Sequence, residues 1–210
     1  MVDGVFLAVT GQDVVILDLR TDTYGCLPEI GSRILVDGRN LTFDEALSEL
    51  LKASGLLSDT LCAATLSDVG TRFPHPPTTC LPLGRNRRRP ANVVAFLSAA
   101  RRIRNLGPDP TVRILLDALP ARPTKNPDRK RVAVTTEAFQ ALLPWTPHQG
   151  ACLYRAFVLL SMLRRSGQDA AWVFGVRTWP FSAHCWLQFD DAVLDDDPER
   201  VGLYTPIMVV

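Results

Sequence analysis

The chain has 210 residues with 23 Lys and Arg against 22 Asp and Glu, so its formal net charge of +1 leaves no basic excess of the kind nucleic-acid binders carry. Hydrophobic residues make up 47%, enough for one large or two small cores, yet no apolar run approaches the roughly 18 residues that cross a bilayer, and the N-terminus lacks a signal-peptide pattern. Membrane insertion and secretion are thereby argued against, and five cysteines without paired spacing (Cys26, Cys62, Cys80, Cys152, Cys185) signal neither a disulfide framework nor a zinc site, which fits a reducing cytoplasm.

In chain order, Val5 to Thr10, Val14 to Asp18 and Thr23 to Leu27 are short β-prone runs separated by Gly11-Gln12-Asp13 and Arg20-Thr21-Asp22, the pattern of a three-stranded meander. A helix is predicted from Pro28 to Leu35, with proline in its first position. Another is predicted from Ala46 to Ser54, behind a capping box at Thr42-Phe43-Asp44-Glu45 and ended by Gly55. Val69 to Pro90 is rich in proline, threonine and arginine and reads as a linker, with the arginine run of residues 85–89 as a solvated cluster. Helical patterns follow at Asn92 to Leu106, Pro110 to Leu119 and Thr136 to Leu143, with a Pro- and Lys-containing loop from Pro120 to Arg131 between the second and third.

Chemistry concentrates between Cys152 and Asp196. Cys152 opens an apolar helical run, Ala151 to Ser166, that Gly167 closes, and in a first helical turn the partial positive charge favours thiolate over thiol. Ala170 to Arg177 reads as a buried strand, Ala183 to Phe189 as an alternating one, and Ala192 to Asp197 as its hairpin partner across a turn at Asp190-Asp191. A three-residue connection would pair His184 with Asp196, a two-residue turn would favour Asp197, and Asp195 would need the other face. An acid, an imidazole and a thiol in that order can form an activated cysteine nucleophile, with the acid orienting His184 and His184 taking the proton of Cys152. Cys185 neighbours His184 but is expected on the opposite face of the strand. His148 is an alternative base, and Arg155 sits one turn after Cys152. No glycine-rich phosphate loop or metal-ligand spacing is present, so no cofactor is expected.

The strings Cys152-Leu-Tyr-Arg-Ala, Leu163-Arg-Arg-Ser-Gly and Trp172-Val-Phe-Gly-Val-Arg-Thr-Trp-Pro-Phe-Ser-Ala-His184-Cys-Trp-Leu, ending at Val193-Leu-Asp-Asp196, resemble the leader peptidase of lasso peptide biosynthesis. By that resemblance the nucleophile, base and orienting acid fall on Cys152, His184 and Asp196; where the family tends to have Asn just before the acid, this chain has Asp195. Val15-Ile-Leu-Asp-Leu-Arg-Thr-Asp-Thr-Tyr24 similarly resembles the small winged-helix domain that recognises leader peptides. The implied fold is α+β: a winged-helix-like leader-recognition domain over residues 1–58, a linker over 59–90, and a transglutaminase-like, papain-like cysteine protease domain over 91–210. The resemblance implies that a leader adds as a strand to Thr23, Tyr24, Gly25, Cys26 and Leu27, in a groove lined by Phe43, Leu47 and Leu50. The implied partners are the precursor leader and an asparagine-synthetase-like lasso cyclase, with any nucleotide dependence entering through the cyclase.

Overall fold

The computed structural model describes residues 1–37, 40–58, 64–65, 75–81, 90–146 and 151–210. They belong to two compact units, one of Met1–Phe73, Gly175–Ala183 and Tyr204–Val210, the other of Pro74–Phe174 and His184–Leu203. The predicted arginine cluster at residues 85–89, His148 and Cys62 lie outside the described residues.

The first unit opens with the expected meander: β1 (Val5–Thr10), β2 (Asp13–Asp18) and β3 (Thr23–Leu27), antiparallel in the order β1-β2-β3. Thr10 pairs with Asp13 across a two-residue turn whose Gly11 has φ +62°, a conformation that costs glycine little. As the central strand β2 is buried at every position, which is why Val14-Val-Ile-Leu17 is continuously apolar rather than alternating. Val5, Leu7, Val14 and Ile16 face one side of the sheet and close a core with Ile34, Leu47, Leu51 and Leu57. In this three-stranded sheet β3 is an outer strand, as is β1, and Thr23, Gly25 and Cys26 are exposed on it.

The helix predicted over Pro28 to Leu35 does not form. Glu29 sits at φ +60°, a 3-10 turn spans Gly31–Arg33, and the chain then runs extended as β4 (Ile34–Asp37), antiparallel to β5 (Asn40–Phe43). β-branched and apolar residues from Ile34 to Val36 favour that strand, and Ile34 is anchored in the core; proline at a first position does not nucleate a helix unaided. A second correction concerns the cap. Helix α1 (Glu45–Ala53) is capped by Asp44, whose carboxylate accepts from the Leu47 amide at 2.8 Å, while Thr42 belongs to β5. Gly55, at φ +67°, follows its C-cap Ser54. A short β6 (Ala64–Thr65) pairs with β5.

In the second unit, β7 (Thr79–Cys80) lies within the stretch read as a linker and pairs in parallel with a later strand. Helices α2 (Pro90–Asn105), α3 (Val112–Ala118) and α4 (Arg129–Leu142) follow. The last begins earlier than its apolar pattern suggests, because Asp128 caps it by accepting from the Arg131 amide at 2.9 Å and its first turn is polar. Helix α5 (Cys152–Arg165) is buried at Tyr154 and at every position from Ala156 to Leu163, and packs against α2 and α4. An apolar helix of this kind belongs in an interior. Strands β8 (Ala171–Arg177) and β9 (Ser182–Phe189), each divided between the units, β10 (Ala192–Val193) and helix α6 (Pro198–Val201) follow, then β11 (Thr205–Val209) of the first unit, and the five-stranded sheet runs β11-β8-β9-β10-β7. Among the described residues no helix is long and apolar enough to cross a membrane.

Candidate active site

Cys152 is the first residue of α5, and its N-cap, Ala151, offers no side-chain acceptor. The helix dipole at that turn therefore biases the half-buried sulfur toward its anion. Three groups of β9 act on the same sulfur. The Cys185 thiol donates to it and is the largest influence lowering its pKa; the His184 ring and the Cys185 backbone N–H add to this, and together they overcome the opposing effect of burial, bringing the pKa down to about 4. Cys185, expected on the far face of the strand, thus meets the nucleophile.

His184 is 7% exposed, and its Nε2 lies 2.6 Å from Asp196 Oδ2. The ring runs nearly parallel to Trp186, two residues on along β9, with centroids 6.3 Å apart. With Nε2 committed to Asp196, Nδ1 is the nitrogen left for Cys152. Burial pulls the imidazole pKa down, but hydrogen bonds and charge from Asp196 and Cys152 outweigh it and raise the value to about 9. A thiolate–imidazolium pair is the favoured state at neutral pH.

Asp196 reaches His184 by a route that strand register alone does not anticipate. The β9–β10 turn has two residues, not three: Phe189 pairs with Ala192 and Gln188 with Val193. Continued, that register would set Asp197 opposite His184. The ladder instead makes one more bond, Leu194 N–H to the Leu187 carbonyl at 3.0 Å, and then stops. There the Asp195 carboxylate replaces a backbone carbonyl, accepting the Leu187 amide at 2.8 Å, while the Leu194 carbonyl accepts from Gln140 of α4 at 3.2 Å. Side chains thus satisfy the groups that the ladder abandons, and the chain is free to turn Asp196 toward the imidazole.

Three adjacent aspartates consequently hold three different partners. Asp195 is buried, which pushes its carboxyl up to about 7 against the Leu187 hydrogen bond and the positive charge of Arg155. Asp196 uses Oδ2 for His184 and Oδ1 for the Asp197 amide at 2.9 Å, with Arg200 at 3.7 Å. Its burial opposes ionisation, but the His184 hydrogen bond and the other donors hold it below the ordinary carboxylate range. Asp197 caps α6 by accepting from the Glu199 amide at 2.8 Å. No charge-pattern rule assigns these roles beforehand, since they depend on where the ladder ends.

The expected leader-binding residues fall in the first unit and divide. Thr23 to Leu27 form the edge strand, with Tyr24 against Phe181 at 5.7 Å between ring centroids. Leu47 is 2% exposed and belongs to the small core, Phe43 is half-buried against that core, and Leu50 is 53% exposed. Trp186 escaped the sequence reading, although its place two residues after His184 on one strand was an available signal, and Cys185 was read as facing away from the site. Among the described residues no group of His, Cys, Asp or Glu is placed to hold a metal ion.

No curated protein and no solved structure matches the chain. Residues 93–209 match the family model of the transglutaminase-like superfamily, whose members are in general cysteine proteases or acyltransferases. The match takes in more than half of the 210 residues, including Cys152, His184 and Asp196, and the chain belongs to the transglutaminase-like superfamily.

Proposed function

We propose that the protein is a cytoplasmic cysteine peptidase that binds the leader of a ribosomally made lasso peptide precursor and cuts it from the core, before a partner cyclase closes the macrolactam. The observation that supports the peptidase assignment is the 2.6 Å contact between His184 Nε2 and Asp196 Oδ2, within a superfamily match that also takes in Cys152 at the start of α5. The strings around Cys152 and His184, like those of lasso leader peptidases, supply the substrate class.

In the proposed mechanism the Cys152 thiolate attacks the carbonyl at the leader–core junction. Backbone amides at the start of α5 stabilise the oxyanion. His184, held by Asp196, protonates the departing core amine, and as a neutral imidazole it then activates water to hydrolyse the thioester. The N-terminal unit would carry the leader as an added strand on β3, so that cleavage becomes effectively intramolecular and the cleft itself needs little affinity. The winged-helix-like character of that unit, its leader-binding role and its association with the cyclase are parts of this proposal. No metal is required in it, and any nucleotide dependence enters through the cyclase.

The test is Cys152→Ala incubated with the precursor and followed by mass spectrometry. Cleavage should fall to background while leader affinity stays unchanged; retained cleavage would remove the nucleophile from the mechanism. Wild type yielding ligated or deamidated precursor, instead of a truncated one, would place the chain among the acyltransferases of its superfamily.

A further inference from the structure

The segment from Gly175 to Ala183 lies in the matched family region yet belongs to the first unit, where it brings two large rings beside the meander. Trp179 is 74% exposed and Phe181 47%, and two such rings within three residues are not the scattered apolar exposure that any surface shows. Their places are fixed. Trp179 donates its indole N–H to Asp13 Oδ2 at 2.8 Å, Asp13 Oδ1 accepts the Glu29 amide at 3.1 Å, and the Phe181 ring stands 5.7 Å from that of Tyr24. Trp179 also has φ +54°, a conformation that strains a bulky residue and that the Asp13 bond helps to hold. An indole whose polar edge is committed to its own protein, with its ring still open to solvent, is preorganised to receive an apolar group.

Strand register says where that group comes from. Tyr24 and Cys26 pair with Leu17 and Val15, on the sheet face opposite the one that Val14, Ile16 and Leu27 turn toward the core with Leu47 and Leu51 of α1. Asp13 adjoins Val14, the partner of Leu27, so Trp179 stands toward the Leu27 end of β3 and Phe181 toward Tyr24. The two rings thus lie along β3 on its Tyr24 face, and α1 lies on the other. We infer that Trp179 and Phe181 form a second wall for a peptide strand joined to β3, and that this wall takes aromatic or large aliphatic side chains of the peptide at alternate positions. The inference rests on β3 accepting a strand, as the proposed function has it, and adds what reads the second face of that strand. Side chains on one face of a strand recur about every 7 Å. Residues opposite Tyr24 and Cys26 therefore meet the rings, and residues opposite Gly25 and Leu27 meet the α1 side. A single run of peptide is read from both faces, by groups from two distant parts of the chain. Because Trp179 is already held in place, little side-chain entropy is lost when it is covered.

The experiment uses the full-length protein and two probes, the fluorescein-labelled precursor leader and an immobilised array of short random peptides. Leader binding is followed by fluorescence anisotropy, with each leader residue replaced by alanine in turn. The expected wild-type result is a loss of affinity at aromatic or large aliphatic positions of both parities within the bound stretch. Trp179→Ala and Phe181→Ala should each weaken the leader about tenfold. Alanine at the leader residue that meets the ring should cost about tenfold in wild type and nothing further in the ring variant, while Leu50→Ser should couple to leader positions of the opposite parity. Wild-type losses confined to one parity, unchanged affinity in both ring variants, or ring coupling to the same positions as Leu50 overturn the inference. So does a wild-type dimer through β3 that the leader does not dissociate. The wild-type scan decides the matter even if a ring variant fails to fold. Wild type that ignores the leader yet selects array peptides with alternate aromatic or aliphatic residues, a selection lost in Trp179→Ala, keeps the wall and refutes the leader reading alone. Wild type that binds neither probe overturns both.

Discussion

The N-terminal meander and the β9–β10 hairpin are both antiparallel pairings closed by short turns, yet one is regular from end to end and the other is abandoned after a few bonds. In the meander every residue from Val5 to Thr10 has a partner on β2, and Val14 to Asp18 are paired again with β3. Its stability comes from an unbroken ladder over an apolar core, with β3 at one side of the strand order. In the hairpin the ladder ends at Leu194, Asp195 and Gln140 take up the backbone groups left behind, and Asp196 turns to His184. Regular pairing leaves an outer strand that, in the proposed function, an extended peptide would join; an interrupted ladder aims one carboxylate at one imidazole.

That contrast is broken most severely by removing the aimed carboxylate. Asp196→Asn should lower kcat/KM by about 10³-fold, because the amide cannot hold the imidazolium in the same way. Asp195→Asn retains an acceptor for the Leu187 amide and should cost far less, and Asp197→Ala should chiefly cost about 1 kcal/mol of stability through the lost cap. Equal losses in kcat/KM for the three would show that the end of the ladder does not select Asp196.

On the meander side the same logic separates two leucines one helical turn apart. Leu47→Ala, in the core, should destabilise the protein by about 3 kcal/mol in a denaturant titration. The exposed Leu50→Ser should leave that midpoint in place and weaken leader binding by roughly fivefold in a calorimetric titration. A large loss of stability at Leu50 would merge the two roles.

The pH profile sharpens the comparison from the catalytic side. The lowered Cys152 pKa means that thiolate is present above about 4, and the raised His184 pKa means that imidazolium is present below about 9. kcat/KM should therefore be broad and flat between these values, falling about tenfold per pH unit beyond either edge. Leader binding by backbone pairing and apolar contact should show neither edge. A narrow optimum near the ordinary histidine value would mean that the pair does not exist as an ion pair in the free enzyme.

Much of this molecule was legible from local pattern. Three β-prone runs separated by turn residues became β1, β2 and β3, an apolar run between Cys152 and Gly167 became α5, and the paired imidazole and acid, His184 and Asp196, came within hydrogen-bond distance. Local pattern failed where two local signals competed, as at Pro28 to Leu35, where a helix-start proline precedes residues that favour extended chain and Ile34 finds its place in a core. It failed also where polar residues began an element, as at the first turn of α4.

What the amino-acid sequence determined by itself was the set of elements and the chemical groups they carry, because helix and strand periodicity and capping act over a few residues. Which aspartate meets His184, and that Cys185 shares the nucleophile's sulfur, was decided only by tertiary structure. Both depend on positions fixed by packing between elements distant in sequence, such as the point where a ladder stops. Those positions are set by satisfying abandoned backbone groups with side chains from distant parts of the chain, Gln140 among them, a condition that no short stretch of sequence contains.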